Sequence, residues 1–202
     1  MMPAKQIHFF FDLGGVLFEV NRQRVWQSLS AHSSLSAEEI QTAFVHNGAL
    51  ILYETGQIST EAFLEQLAGL AQVDRPSAEL ESIWQSALKP IDENLKAVQT
   101  LAEAHPVGII SNTNAAHLAR IYEQAPFLKN LPASFSHETG FMKPRREIFQ
   151  HALRQANFSN GLNAFIDDRQ DNVTAAERAG FQAMQLSQPN QLTTLIHQIL
   201  EQ

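Results

Sequence analysis

The sequence predicts an α/β protein with a parallel sheet flanked by helices. Two observations carry that expectation. Short apolar runs at residues 7–11, 107–110 and 164–166 are separated by stretches with helical spacing, and continuous apolar runs mark strands buried on both faces. Strands alternating with helices of this length fold as right-handed crossovers around one parallel sheet. A third observation sets the organisation. Between residues 21 and 89 the pattern is helical without interruption by a strand, so the chain divides into an α/β core (1–20 and 90–202) and a small all-helical insert (21–89).

The elements follow in order. The first strand ends at Asp12, and Gly14 and Gly15 then let backbone approach a ligand where a side chain would block it. In open α/β sheets, ligands sit beyond the carboxyl ends of strands. On this stretch alone, an active-site carboxylate and an ordinary Asp-Gly-type turn stand about even. In the insert, helical spacing starts at Arg22. Ser36 followed by Glu39 reads as a capping box, and Gly56 breaks the pattern. Helices then carry Phe63, Leu64 and Leu67, and Leu80, Ile83 and Trp84, on single faces. Trp26 and Trp84 read as insert core.

Beyond the insert, Asp92 is the expected N-cap of a helix leading to the strand at 107–110. Asn114 caps the next helix and Pro126 ends it. A short strand at 133–136 precedes a helix with Pro144 in its first turn. The strand at 164–166 ends on Asp167-Asp168. A helix at 171–179 stopped by Gly180, a strand at 181–186 and a helix from 191 complete the chain.

Composition narrows the function. The 202 residues are 44% hydrophobic, enough for a real core, and the formal charge of −7 argues against a nucleic-acid or anionic-membrane partner. An anionic substrate then needs local cations. With no cysteine there is no disulfide, thiolate metal site or thiol nucleophile, so any hydrolysis uses oxygen nucleophiles. The first apolar run is too short to span a membrane and lacks the features of a signal peptide, so a soluble cytoplasmic protein is expected. The eight histidines show no His-Glu-x-x-His spacing.

Four stretches taken in order carry a resemblance: Asp12-Leu13-Gly14-Gly15, Ser111-Asn112-Thr113-Asn114, Lys143-Pro144 before a helix, and Asp167-Asp168 with Asn172 beyond. Together they resemble the haloacid dehalogenase-like (HAD) hydrolase superfamily over nearly the whole chain. They look closest to the alpha-glucose-1-phosphate phosphatase-like group, with its Asp-Leu-Gly-Gly or Asp-Leu-Gly-Asn first motif. The resemblance implies a Rossmann-like sheet of order 5-4-1-2-3, with Asp12 between Ser111 and the acidic pair. It also implies that the helical insert is a cap whose loops choose the substrate. The implied activity is hydrolysis of a small phosphorylated metabolite, such as a hexose 1-phosphate, by a monomer or homodimer.

In that frame Asp12 is the nucleophile, Ser111 and Lys143 are catalytic, and Ser111, Asn112, Lys143, Gly14 and Gly15 face the phosphate. Carboxylates crowded against a phosphate dianion call for a hard divalent cation, so Mg²⁺ is the expected cofactor. Asp12, Asp168 and the Gly14 carbonyl are its expected ligands, with Asp167 and Asn172 as orienting groups behind them. The plainer readings are a solvated Asp-Asp turn, a helix-capping Ser111 and a surface Lys143. A basic group filling the space between the acids would overturn the shared-ion reading. Arg145 and Arg146 read as solvated, and His46, Tyr53 and Glu54 are candidates to face the site from the insert.

One departure stands out. Most HAD phosphatases place a second Asp two residues after the nucleophile as general acid, and this chain has Gly14 there. General acid–base help is typically worth about 10²- to 10⁴-fold, so its loss slows the reaction without abolishing it. The gap counts against a phosphomutase. A 2-haloacid dehalogenase works without metal and usually lacks the acidic pair. A catalytically impaired binding protein is the other alternative.

Overall fold

Strand β1 (Gln6–Phe11) is the centre of the sheet and buries Phe9, Phe10 and Phe11 completely or nearly so. It belongs to a computed structural model that describes residues 6–158 and 161–201. After Asp12 and the glycines comes β2 (Phe18–Val20). Five helices follow: α1 (Gln23–Ser30), α2 (Ala37–Asn47), α3 (Ala49–Glu54), α4 (Thr60–Ala71) and α5 (Ser77–Gln85). β3 (Leu88–Pro90) pairs antiparallel with β2, joining Phe18 to Pro90 and Val20 to Leu88. The chain therefore enters and leaves the helical insert along one short ribbon.

The remainder alternates. It runs α6 (Asp92–Ala102), β4 (Val107–Ser111), α7 (Ala115–Gln124), β5 (Ala133–Phe135), α8 (Ser136–Thr139), α9 (Arg146–Ala156), β6 (Gly161–Asp167), α10 (Gln170–Arg178), β7 (Gln182–Gln185) and α11 (Leu192–Leu200). Five strands form one parallel sheet of order β5-β4-β1-β6-β7. Labelled along the whole chain, this differs from the expected 5-4-1-2-3. Two unforeseen strands, β2 and β3, take the second and third labels and form a sheet of their own. β1 lies between β4 and β6, in register from Phe9–Val107 and from Gln6–Gly161.

Alternation along β1 divides the core. Phe9 and Phe11 pack with Leu95, Val98, Ile121 and Ile196 of α6, α7 and α11. Phe10 packs with Ile148, Phe149 and Ala176 of α9 and α10. A third cluster fills the insert, where Trp26, Phe44, Phe63, Leu67 and Trp84 are buried together. It also takes in Ala116 of α7, so the insert's core reaches the α/β unit. Ser36 and Glu39 do form a capping box, which stabilises α2 by about 1 kcal/mol.

Two helix starts differ from expectation. Ile91, not Asp92, holds the N-cap position of α6, and Asp92 lies in its first turn. Pro144 precedes α9 instead of opening it, and just before it the Asn112 side chain binds Lys143 at both backbone groups. Lys143 N–H donates to Asn112 Oδ1 (2.7 Å) and Asn112 Nδ2 donates to the Lys143 carbonyl (3.0 Å). No helix among the described residues is long and apolar enough to cross a membrane.

Candidate active site

Neighbouring parallel strands deliver side chains to one edge of the sheet, and here Asp12 directly follows β1 while β4 and β6 end on Ser111 and Asp167. Asp12, Asp167 and Asp168 each present a carboxylate oxygen, all within 4.8 Å of one another. Asp12 and Asp167 are buried, and Asp168 is the most accessible of the three. Gly15, at φ +78°, leaves space that the Asp168 carboxylate fills; a Cβ on Gly15 would collide with that carboxylate. Gly15 thus makes room for Asp168, whatever it offers a ligand.

Lys143 sits almost fully buried between two of the acids. Its Nζ lies 2.8 Å from Asp12 Oδ1 and 2.6 Å from Asp167 Oδ2, and it donates to the Ile110 carbonyl at 3.0 Å. This is an intervening basic group, so the three acids do not share one ion equally. Lys143 occupies the Asp12–Asp167 side and makes no ion pair with Asp168. The residues left to face a cation are Asp12 and Asp168. Asp167 is committed elsewhere, accepting also from Asn172 Nδ2 (3.0 and 3.1 Å) and Arg169 N–H (2.9 Å).

The electrostatics follow from burial. Burial raises the Asp12 pKa to about 7, with Lys143 opposing and Asp167 adding to the rise. The Asp168 carboxyl is also raised, by burial first and then by Asp167. Burial works against the Lys143 charge, but Asp12 and Asp167 outweigh it and hold the ammonium above its ordinary range. Two carboxyls raised by crowding and desolvation are what a hard cation would relieve, and the donors are all oxygen, which fits Mg²⁺.

Leu13 N–H donates to Asp12 Oδ1 at 2.7 Å, leaving Oδ2 without a hydrogen bond from the described residues. Ser111 Oγ is buried with no well-formed hydrogen bond, although it lies near enough to Asp12 to favour its charge weakly. A buried hydroxyl without a partner is costly unless a ligand supplies one. Asn112, expected at the phosphate, has its side chain engaged with the Lys143 backbone and instead fixes where the lysine stands.

Of the insert residues expected to face the site, His46 is exposed and bonds the Thr42 carbonyl of its own helix. Tyr53 is buried, with its hydroxyl bonding Thr60 (2.8 Å) and accepting from Ala116 N–H (3.0 Å). Glu54 is buried 3.5 Å from Arg22. Sequence reasoning missed the Ile110 carbonyl, the exchange between Thr113 and Ser136 that ties β4's end to α8, and Val20 standing against Gly14. None of these carries a local signal, since each depends on residues brought together from distant parts of the chain.

A parallel α/β sheet with acids at adjoining strand ends and a buried lysine between two of them makes a carboxylate-centred cluster that could hold a metal ion. The chain belongs to the haloacid dehalogenase-like hydrolases, matching that family over residues 8–180. It is similar to D-ribitol-5-phosphate phosphatase of Bacteroides thetaiotaomicron, at 22% identity over 87% of this chain and 89% of the relative. It is also similar to a sesquiterpene phosphatase of Aspergillus oryzae, at 23% identity and 88% coverage of each. Among solved structures, a HAD family enzyme of B. thetaiotaomicron in complex with magnesium and inorganic phosphate superposes with a TM-score of 0.79. It shares 23% identity and covers 90% of this chain and 94% of its own.

Proposed function

We propose that this protein is a Mg²⁺-dependent phosphatase that hydrolyses a small phosphate monoester through an aspartyl-phosphate at Asp12. The observation that carries this reading is the arrangement at the sheet edge. Asp12 presents one oxygen that accepts no well-formed hydrogen bond from the described residues, Lys143 is a charged and buried neighbour, and the buried Ser111 hydroxyl has no well-formed bond of its own. Two similar proteins, one acting on a polyol phosphate and the other named for a sesquiterpene, are both phosphatases.

In the mechanism, Asp12 Oδ2 attacks phosphorus while the bond to the alcohol oxygen breaks, and water then cleaves the acyl phosphate to regenerate Asp12. Lys143 and the Ser111 hydroxyl contact phosphoryl oxygens and disperse their charge. Asp12, Asp168 and the Gly14 carbonyl would hold Mg²⁺, which supplies charge neutralisation when bound. Asp167 and Asn172 keep Lys143 and the loop after β6 in place. No carboxylate stands at position 14 to protonate the departing oxygen, so substrates with good leaving groups are favoured.

Residues 21–89 act as the cap and residues 1–20 and 90–202 as the catalytic core. The hexose 1-phosphate of the sequence reading rests on the motif resemblance alone. The test is turnover of a broad phosphate-ester panel with EDTA, then with Mg²⁺ restored. Activity lost and regained supports the reading, whereas ligand affinity without turnover, indifferent to metal, would make this a binding protein.

A further inference from the structure

The insert holds a cavity of about 430 Å³ whose lining includes Val20, Phe44, Val45 and Ile51. Its polar side chains are Arg22 and Gln41, and the rest of the lining is apolar or glycine. Arg22 is already paired with Glu54 at 3.5 Å. Of the five large hydrophobic residues left exposed among the described residues, Val20, Val45, Ile51 and Leu52 lie on β2, α2 and α3. Val45 and Ile51 are 67% and 60% exposed. A comparable cavity between α6 and α11 lacks even a residue that stands against Gly14, as Val20 does.

What links the insert cavity to the chemistry is Val20. Its Cγ2 lies 3.0 Å from where a Cβ on Gly14 would stand, two residues beyond Asp12. Val20 thus lines the insert cavity and also stands against Gly14, two residues beyond Asp12. The same contact crowds the quarter in which an aspartate at position 14 would need to turn.

Resting on the phosphatase reading above, we propose that this cavity receives an apolar organic group, an alkyl or terpenoid chain, carried by the alcohol of the substrate's phosphate monoester. A sugar or polyol brings several hydroxyls, each needing a partner once buried, and the lining offers few. An alkyl chain needs none. The volume falls within the range of about 300–1,000 Å³ usual for small-molecule sites, which are mostly apolar with a few polar groups. The exposed valine and isoleucine gain cover when such a chain lies across them.

The experiment compares kcat/KM for octyl phosphate, ribitol 5-phosphate and glucose 1-phosphate in the full chain with Mg²⁺. It repeats the comparison in Val45→Asp and Ile51→Asp, whose side chains are exposed and whose folding circular dichroism checks. We expect octyl phosphate to be preferred by about tenfold or more, the scale on which apolar pockets discriminate. Each variant should raise its KM by about tenfold, with turnover of acetyl phosphate unchanged. Preference for the polyol or hexose ester, or an unchanged KM in both variants, would overturn the assignment. So would a change of dimer to monomer with selectivity intact, since the face would then belong to a second copy. If no phosphate ester turns over, the phosphatase reading falls instead. Calorimetric binding of octylphosphonate, weakened by Val45→Asp or not, then decides the cavity's role separately.

Discussion

Ser111 and Asn114 are three residues apart, yet they belong to two buried polar clusters of opposite character. The cluster at the sheet edge joins Asp12, Ser111, Lys143, Asp167 and Asn172. It is dense in charge, with two acids sharing one lysine and a serine hydroxyl left without a partner. The second joins α7 to the insert and is neutral and paired throughout. Asn114 Oδ1 accepts from His117 N–H (3.0 Å) and Trp84 Nε1 (3.3 Å), and the His117 ring bonds the Trp84 carbonyl (3.2 Å) while stacking on Trp84 at 4.9 Å. Gln85 Nε2 adds a bond to the Ala116 carbonyl. A satisfied network fixes one arrangement, whereas an incompletely satisfied one holds free energy that a ligand can release.

The comparison can be broken most directly at Asp12. Asp12→Asn retains shape but removes the proposed nucleophile, and turnover should fall by roughly 10³-fold or more while chemical denaturation shows a folded chain. Unchanged turnover over a phosphate panel would place the chemistry elsewhere. Next in size is Lys143→Met, which strands two buried acids. Stripping one partner from a buried ion pair costs about 3–5 kcal/mol, so the metal-free variant should unfold at markedly lower denaturant near neutral pH. The loss should shrink in acid, where protons replace the missing cation.

The neutral cluster answers to pH in its own way. Burial, opposed by the bond to the Trp84 carbonyl and helped by the nearby Arg22 charge, lowers the His117 pKa from 6.5 to about 4. The unfolded chain takes up a proton below 6.5 that the folded chain refuses until about 4. Stability is therefore whole above 6.5 and lost as pH falls toward 4, by on the order of 3 kcal/mol in all. His117→Gln should flatten that part of the stability–pH curve, and an unaltered slope would assign it to other groups. Last is Trp84→Phe, which removes one hydrogen bond to Asn114 and part of a fully buried ring and should cost roughly 2 kcal/mol of unfolding free energy with kcat nearly unchanged.

The two clusters were not equally legible in the sequence. Asp12, Ser111 and the Asp167-Asp168 pair announce themselves because apolar strands end at them, and a strand end in a parallel sheet has one address; Lys143 is marked only by its place before Pro144 and a helix. The division of labour among the acids was not fully open to that reasoning, since only the placement of Lys143 shows which carboxylate it occupies. Asn112 looked like a ligand contact and proves to be a brace for the lysine. The neutral cluster carries no such signal. Trp84 and His117 sit at ordinary helical positions, and their meeting depends on how α5 packs on α7. Strands β2 and β3 were equally hidden, because three residues cannot establish a period.

That two-stranded ribbon has a consequence for how such a protein can change. Because Phe18 lies across from Pro90, and Val20 from Leu88, the points of departure and return are stitched together beside the reaction centre. A foreign helical module grafted between residues 20 and 88 would meet the same pair of anchors. Under the cap reading proposed above, what such a chain recognises could be exchanged wholesale while the strand-end residues stay as they are.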